Sequence, residues 1–432
     1  MKKFPRIMAL VLALTLLLSL FGCGAADGKT HLKFQIWDVA QRESMQAICD
    51  AYTAKNPDVV IEVQVTSWNE YWTKLEAAAE SNTMPDIFWM HTNQILYYSD
   101  FGILADVTDL YDDVEANYYQ NHFSEISIGN ASGSNGRLYG VPKDKDNLVL
   151  VYNKEMFDAA GVSYPDENWT WDDMTAASEK IYGSTGKYGF MAYAEDHLGY
   201  WSFVYQAGGY ILNDDKTRAG FDQPGTQKAM KFYIGMQQND WCPNQTYFAE
   251  TQPGTAFFSE VGSMYIEGNW ELMNKATSYP NMKDKWDIAP LPKCPDPVSG
   301  DGRATMSNGL CYATAAKGRN LEAVKDVLKF FGSEEAQNIA SSYGAAISAY
   351  NGTEQPYFDA FEKAGYDLNL QVIEDQFAYS IQCVNNSARP KWKSPVGDEL
   401  IRIYSGQVDI DTGLANMQNI VDTETAKKLA GD

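Results

Sequence analysis

From about residue 30 onward, short apolar strands alternate with amphipathic helical stripes, and this alternation limits the fold more than any other feature. Segment 32–36 is apolar and ends in Trp37-Asp38. Met45, Ile48, Cys49 and Tyr52 then fall at i, i+3, i+4 and i+7, the spacing of one buried helix face. Asn56-Pro57 stops that helix, since proline has no N–H to donate and disfavours a helical predecessor. Residues 59–65 are β-branched and alternating, which predicts a strand. Trp72, Leu75 and Ala79 give the next stripe, and Met84-Pro85-Asp86 opens a strand over 87–90. Such an order predicts an open, mostly parallel α/β sheet with helices on its faces.

After a polar, Gly- and Ser-rich break at 133–147 the pattern resumes, with a strand over 148–152 and a helix ending at Gly161. Thr170 can cap the following helix, with Asp173 closing a capping box. Further elements are predicted at 227–237, 263–266 and 286–289, and on the face formed by Leu321, Val324, Leu328 and Phe331. With about 410 residues beyond the first 22, two large domains are expected.

Those first residues read as an export signal. Lys2, Lys3 and Arg6 precede an apolar run over 7–20, too short to span a bilayer, and then comes Leu20-Phe21-Gly22-Cys23. The last four resemble a bacterial lipobox, with Phe21 larger than usual there. Cleavage before Cys23 and acylation of its thiol would leave an exported, lipid-anchored chain. The remaining cysteines, Cys49, Cys242, Cys294, Cys311 and Cys383, are odd in number and lack metal-type spacing, so buried free thiols are expected. A formal charge of −23 argues against a nucleic-acid partner.

Catalytic and cofactor motifs are absent: there is no HExxH, GxSxG or GxGxxG, and the four histidines show no ligand-like spacing. Neither a metal nor a cofactor is expected. Aromatic residues are abundant, with 11 Trp and 27 Tyr, several beside Gly, Asp or Asn.

Several segments, in order, resemble the family 1 extracellular solute-binding proteins of ABC importers, sugar-binding lipoproteins among them. They are Ile36-Trp37-Asp38, the stretch 84–91 (MPDIFWMH), Gly136-Arg137-Leu138-Tyr139-Gly140-Val141-Pro142, Val151-Tyr152-Asn153-Lys154, Trp169-Thr170-Trp171-Asp172-Asp173, Ala207-Gly208-Gly209-Tyr210, the stretch 264–270 (MYIEGNW) and Ala289-Pro290-Leu291-Pro292. The resemblance implies a two-lobed periplasmic-binding-protein-like fold, each lobe a mostly parallel sheet flanked by helices, joined by a hinge of three crossings near 142–146, 301–305 and 344–348. It divides the chain into a signal peptide (1–22), a lipid-anchored linker (23–29), an N-terminal lobe (30–142 and 305–345) and a C-terminal lobe (146–300 and 348–432). It further implies a monomer that carries a solute to membrane permease subunits and makes no bond itself.

In such sheets ligands lie beyond the carboxyl ends of the strands and in clefts between domains. Indole faces suit the C–H face of a pyranose, and amides and carboxylates suit its hydroxyls. Trp37, Trp68, Trp89, Trp201, Trp270 and Trp392 are therefore candidate stacking platforms; Trp89, Trp270 and, more loosely, Trp392 also match ligand-stacking positions of the resembled family. Asp38, Asn69, His91, Asn93, Asp144, Asp146, Glu267 and Asn308 are candidate hydroxyl partners, and Tyr343 is a hinge residue that can touch the ligand. Trp72, Trp171, Trp241 and Trp286 are assigned to the core. A carbohydrate, in particular an oligosaccharide, is the expected ligand. An extracellular carbohydrate hydrolase, a surface adhesion lipoprotein, and a carrier of a polyol, polyamine or amino acid are the alternatives. If Cys23 carries the anchor, Cys23→Ala releases the folded protein from the membrane fraction; a mutant pelleting with membranes like its parent removes the lipobox reading.

Overall fold

The computed structural model describes residues 28–431, so the signal segment and Cys23 lie outside the described residues. Among the described residues there are eleven strands: β1 Thr30–Ile36, β2 Val59–Val65, β3 Ile87–His91, β4 Val141–Pro142, β5 Leu148–Asn153, β6 Tyr188–Phe190, β7 Gly262–Gly268, β8 Trp286–Ala289, β9 Thr305–Ser307, β10 Leu310–Ala313 and β11 Ser380–Gln382. They form a five-stranded sheet in the order β2-β1-β3-β10-β4, a four-stranded sheet in the order β6-β7-β5-β8, and the short pair β11-β9. Helices flank the two larger sheets, giving two α/β lobes.

Each larger sheet contains one reversed strand. β1 pairs parallel with β2 and β3, whereas β10 runs antiparallel to β3 and β4. β6 and β7 are parallel, whereas β5 runs antiparallel to β7 and β8. The cause is where the chain enters. β10 begins with Leu310 opposite His91, and β5 begins with Leu148 opposite Gly268, so each enters its sheet at the carboxyl end of a neighbour. A strand arriving from the other lobe can only run backward.

Most of the expected local signals are in place, although on helix Trp68–Ser81 Tyr71 and Leu75 are the buried residues while Trp72 and Ala79 are half-buried. Met45, Ile48, Cys49 and Tyr52 are buried along helix Arg42–Lys55. Thr170 and Asp173 form the capping box of helix Trp171–Thr185, and Gly161, at φ 61°, ends the helix before it. Leu32, Phe34 and Ile36 enter the first-lobe core while His31 and Lys33 stay exposed. In the second lobe, strand alternation feeds two cores: Leu148, Leu150, Met264 and Ile266 point to one face, and Val149, Val151 and Tyr265 to the other. All five described cysteines are buried free thiols.

The crossings between lobes are tied at one place. Residues 143–147 join β4 to β5, and 308–309 join β9 to β10. Asp146 accepts from the Asn308 N–H at 2.6 Å and the Gly309 N–H at 3.1 Å. Asp144 accepts from the Leu310 N–H at 2.7 Å. The third segment joins through Lys145 N–H to Ile347 O at 3.0 Å and Ala349 N–H to Lys143 O at 3.1 Å. Here the chain weaves: Ile347 packs in a second-lobe core, Ala349 in the first-lobe core and Tyr357 in the second again. Met306 also lies in a second-lobe core, so the expected first-lobe segment 305–345 starts with residues packed on the other side.

Burial, reinforced by the charge of Asp144, raises the Asp146 pKa to about 7 against the pull of its two N–H donors. A carboxyl with a raised folded-state pKa holds its proton more tightly folded than unfolded. Its contribution is full below the ordinary aspartate range and lost as pH rises through about 7. Asp146→Ala strands two buried N–H groups, each costing about 1–3 kcal/mol. Denaturant unfolding across pH 4–8 should show a lower midpoint and a flatter pH dependence in this variant; an unchanged midpoint and slope would remove the hinge role.

Candidate functional site

The carboxyl ends of β1 and β3 carry an aromatic group. Trp37 follows β1, and its ring packs edge-on against Trp68 at 5.1 Å, Tyr71 at 5.0 Å and Trp89 at 5.0 Å. His91, ending β3, lies 5.5 Å from Trp68 and 6.2 Å from Trp37. Trp68 is 41% exposed and Trp37 half-buried, so this lobe presents indole edges and faces outward. His91 Nδ1 accepts from the Asn93 N–H at 3.0 Å, which leaves the ring proton on Nε2.

The second lobe answers with a loop after β6. His197 stacks on Trp270 at 5.9 Å, and its Nδ1 meets Asn308 Nδ2 at 2.9 Å. With Asn308 donating, His197 keeps its proton on Nε2 and Asn308 keeps Oδ1 as an acceptor. Both atoms are buried without a protein partner. Trp270 itself lies flat on the backbone of Gly268, where an added Cβ would meet the ring at 2.2 Å.

Burial holds both imidazoles neutral. Burial, opposed by Asp196 and aided by Arg389 and Lys393, brings the His197 pKa down to about 3. His91 falls well below the usual range through burial first, then through His197, Lys393 and Arg389 of the other lobe. The two lobes therefore face each other across this group. They also touch beside it, through Cys383 Sγ to Asn93 Oδ1 at 3.2 Å and Asn385 Nδ2 to Thr92 O at 3.1 Å. Neutral rings with Nε2–H donors, an amide acceptor and exposed indole suit an uncharged polyhydroxy ligand. They do not form a nucleophile–base pair. Among the described residues no cluster of His, Cys, Asp and Glu is arranged to hold a metal ion.

The structure redistributes the other expected residues. Trp89, Trp201 and Trp392 are each 2% exposed or less, and cations occupy their faces. Lys143 Nζ sits 4.5 Å over Trp89, and the Arg389 guanidinium lies 4.7 Å from Trp201 and 5.2 Å from Trp392. In this arrangement these three indoles are packed platforms for cations, not open ones. Asp38 caps the turn after β1 and binds Gln41, whose Oε1 accepts from Lys143. Asp144 and Asp146 spend their oxygens on the hinge. Glu267 is turned away by strand parity: on β7 it shares the face of Tyr265, bonding its hydroxyl at 3.3 Å, opposite the Met264 and Ile266 face that Trp270 packs against. Asn69 is exposed on helix Trp68–Ser81, Asn93 is half-buried against Cys383, and Tyr343 is exposed at the hinge.

Four residues in this region had no sequence signal of their own: Lys143, Asp196, His197 and Arg389. Arg389 Nη2 pairs with Asp196 at 2.7 Å, and both sit beside the Glu195 carboxyl, whose pKa burial and the Asp196 charge raise well above the usual range. The loop's position beyond the carboxyl end of β6 was the available clue.

A two-lobed α/β chain with a polar and aromatic group where the lobes meet defines a class of solute-binding proteins. Residues 37–338 match the family model described as bacterial extracellular solute-binding protein, and the chain belongs to that family. A putative binding protein of Brucella abortus is 27% identical over 269 residues, 60% of this chain and 61% of that relative's length. The chain is 25% identical to the arabinooligosaccharide-binding protein of Bacillus subtilis over 350 residues, 78% of each. Its fold is that of an ABC substrate-binding protein from Listeria monocytogenes solved with cycloalternan, at a TM-score of 0.80 and 21% identity, covering 92% of this chain and 99% of that one.

Removing one member of a buried ion pair strands the other, at a cost of about 3–5 kcal/mol. Arg389→Met should lower thermal stability on that scale, and Asp196→Asn in the same chain should recover part of it. Equal losses in the single and double variants would show that Asp196 does not depend on Arg389.

Proposed function

We propose that this chain is an extracellular carrier that closes on a carbohydrate, an oligosaccharide in particular, and presents it to the membrane subunits of an ABC importer while held by lipid on Cys23. The observation that carries the reading is the His197–Asn308 pair beside Trp270: one buried donor and one buried acceptor next to an indole match vicinal hydroxyls on a stacking sugar ring. The names of relatives that bind arabinooligosaccharide and diacetylchitobiose support the ligand class. Trp37, Trp68 and His91 would complete the site from the first lobe, with closure driven by the ligand's preference for contacts to both lobes. The lobes divide near 143–147 and 308–309 and again within 344–353. No step makes or breaks a bond.

A thermal-shift screen of mono- and oligosaccharides finds the ligand, because a molecule that binds only the folded state raises the melting temperature. Calorimetry then separates the indoles. Trp68→Ala and Trp270→Ala should each weaken binding by about 1–3 kcal/mol, the scale of stacking losses, which is roughly tenfold to hundredfold. Trp201→Ala should instead melt early, since truncating a buried Trp costs about 3–5 kcal/mol. Normal sugar binding by both Trp68→Ala and Trp270→Ala would refute the site, and a hit confined to polyols or polyamines would refute the ligand class.

A further inference from the structure

A pocket of about 160 Å³ lies where the lobes meet and shares no lining residue with the aromatic group above. The first lobe contributes Thr92, Ile95 and Ser132; the second contributes Lys216, Gln382 and Asn385. A pocket of that volume holds a small oxyanion.

Two of its side chains have unused capacity. Asn385 is 3% exposed, and its Nδ2 is committed to Thr92 O and Cys383 O, while Oδ1 has no partner. Lys216 has no carboxylate within ion-pair distance among the described residues, and its ammonium is partly desolvated with no opposing charge to offset this. Its backbone is left-handed at φ 59°, a conformation costly for a side chain larger than Asn. Asn386 Nδ2 holds it there by bonding Lys216 O at 3.1 Å and Thr425 Oγ1 at 3.0 Å. Residues that carry a strained backbone, an unpaired ammonium and an unpaired buried acceptor thus line one cavity.

We propose that this pocket binds a small oxyanion that also carries a hydroxyl, with Lys216 taking the charged oxygens and Asn385 Oδ1 accepting the hydroxyl proton. Hydrogen phosphate and a 2-hydroxycarboxylate share that chemistry. Because both lobes supply the walls, the anion favours the arrangement in which they touch, and whatever else favours closure binds it more tightly in return.

The test is calorimetry and thermal shift on the parent with inorganic phosphate and with lactate, against chloride at equal ionic strength. Either anion should bind and raise the melting temperature; which one does so names the source. Lys216→Gly suits the left-handed backbone and removes the ammonium, so it should fold as well as the parent yet bind the anion about tenfold more weakly or worse. Asn385→Ala should weaken binding too. The scattering radius should fall with saturating anion in the parent only. No binding at tens of millimolar, or equal binding by parent and Lys216→Gly, overturns the site; a radius unmoved at saturation overturns its coupling to the lobes.

Discussion

Two carboxylates on one crossing segment hold the backbone of another, and the rest of the molecule is arranged around that fact. Asp144 and Asp146 take the N–H groups of Leu310, Asn308 and Gly309. Those bonds fix where β10 enters the first sheet and where Asn308 meets His197. The same segment carries Lys143, whose ammonium ties back through Gln41 to Asp38 at the end of β1. Hinge geometry and binding-group geometry are therefore one network, and neither side can shift without moving an N–H off a buried oxygen.

Around the aromatic group the structure separates charge from ligand-facing chemistry. Cations are paired or laid on indoles: Lys143 on Trp89 with Asp144 beside it, Arg389 between Trp201 and Trp392 with Asp196 beside it. What stays uncommitted beside Trp37 and Trp270 is neutral, namely two desolvated imidazoles and an amide oxygen. Neutral donors and acceptors in a dry site discriminate strongly by hydrogen-bond match, because an unmatched buried polar group costs more than a matched one contributes.

Local signals in the sequence carried the elements well. The stripe from Met45 to Tyr52, strand 59–65 and the Thr170–Asp173 box each depend on neighbours within a turn or two, so residue spacing suffices to read them. The candidate site was legible mainly where a strand end coincided with an aromatic residue, as at Trp37, His91 and Trp270, with Trp68 and Asn308 named from residue type alone. Elsewhere tertiary structure decided. Trp89 looks like a platform until Lys143 is laid upon it, 54 positions away in sequence but 4.5 Å in space. Glu267 fails by strand parity, since a one-residue difference on β7 sends it to the opposite face from Ile266. Asp196 and Arg389 are 193 residues apart, and nothing in their local sequence announces the pair.

The reversed strand β10 has a consequence for how the molecule is made. It sits between β3 and β4 in the first sheet, yet the ribosome reaches it only after the second lobe's whole four-stranded sheet has been translated. Until then β3 and β4 have no common neighbour, and the early half of the chain exposes an unpaired sheet edge flanked by Trp89 and Met90. The lobe whose residues are made first is thus completed late, while the four-stranded sheet, assembled from residues 148–289, has all its strands in one continuous stretch. Long-range closure of this kind is slow and leaves apolar edges open to misassociation. Nascent chains of this protein therefore gain from being kept extended until their last third is available.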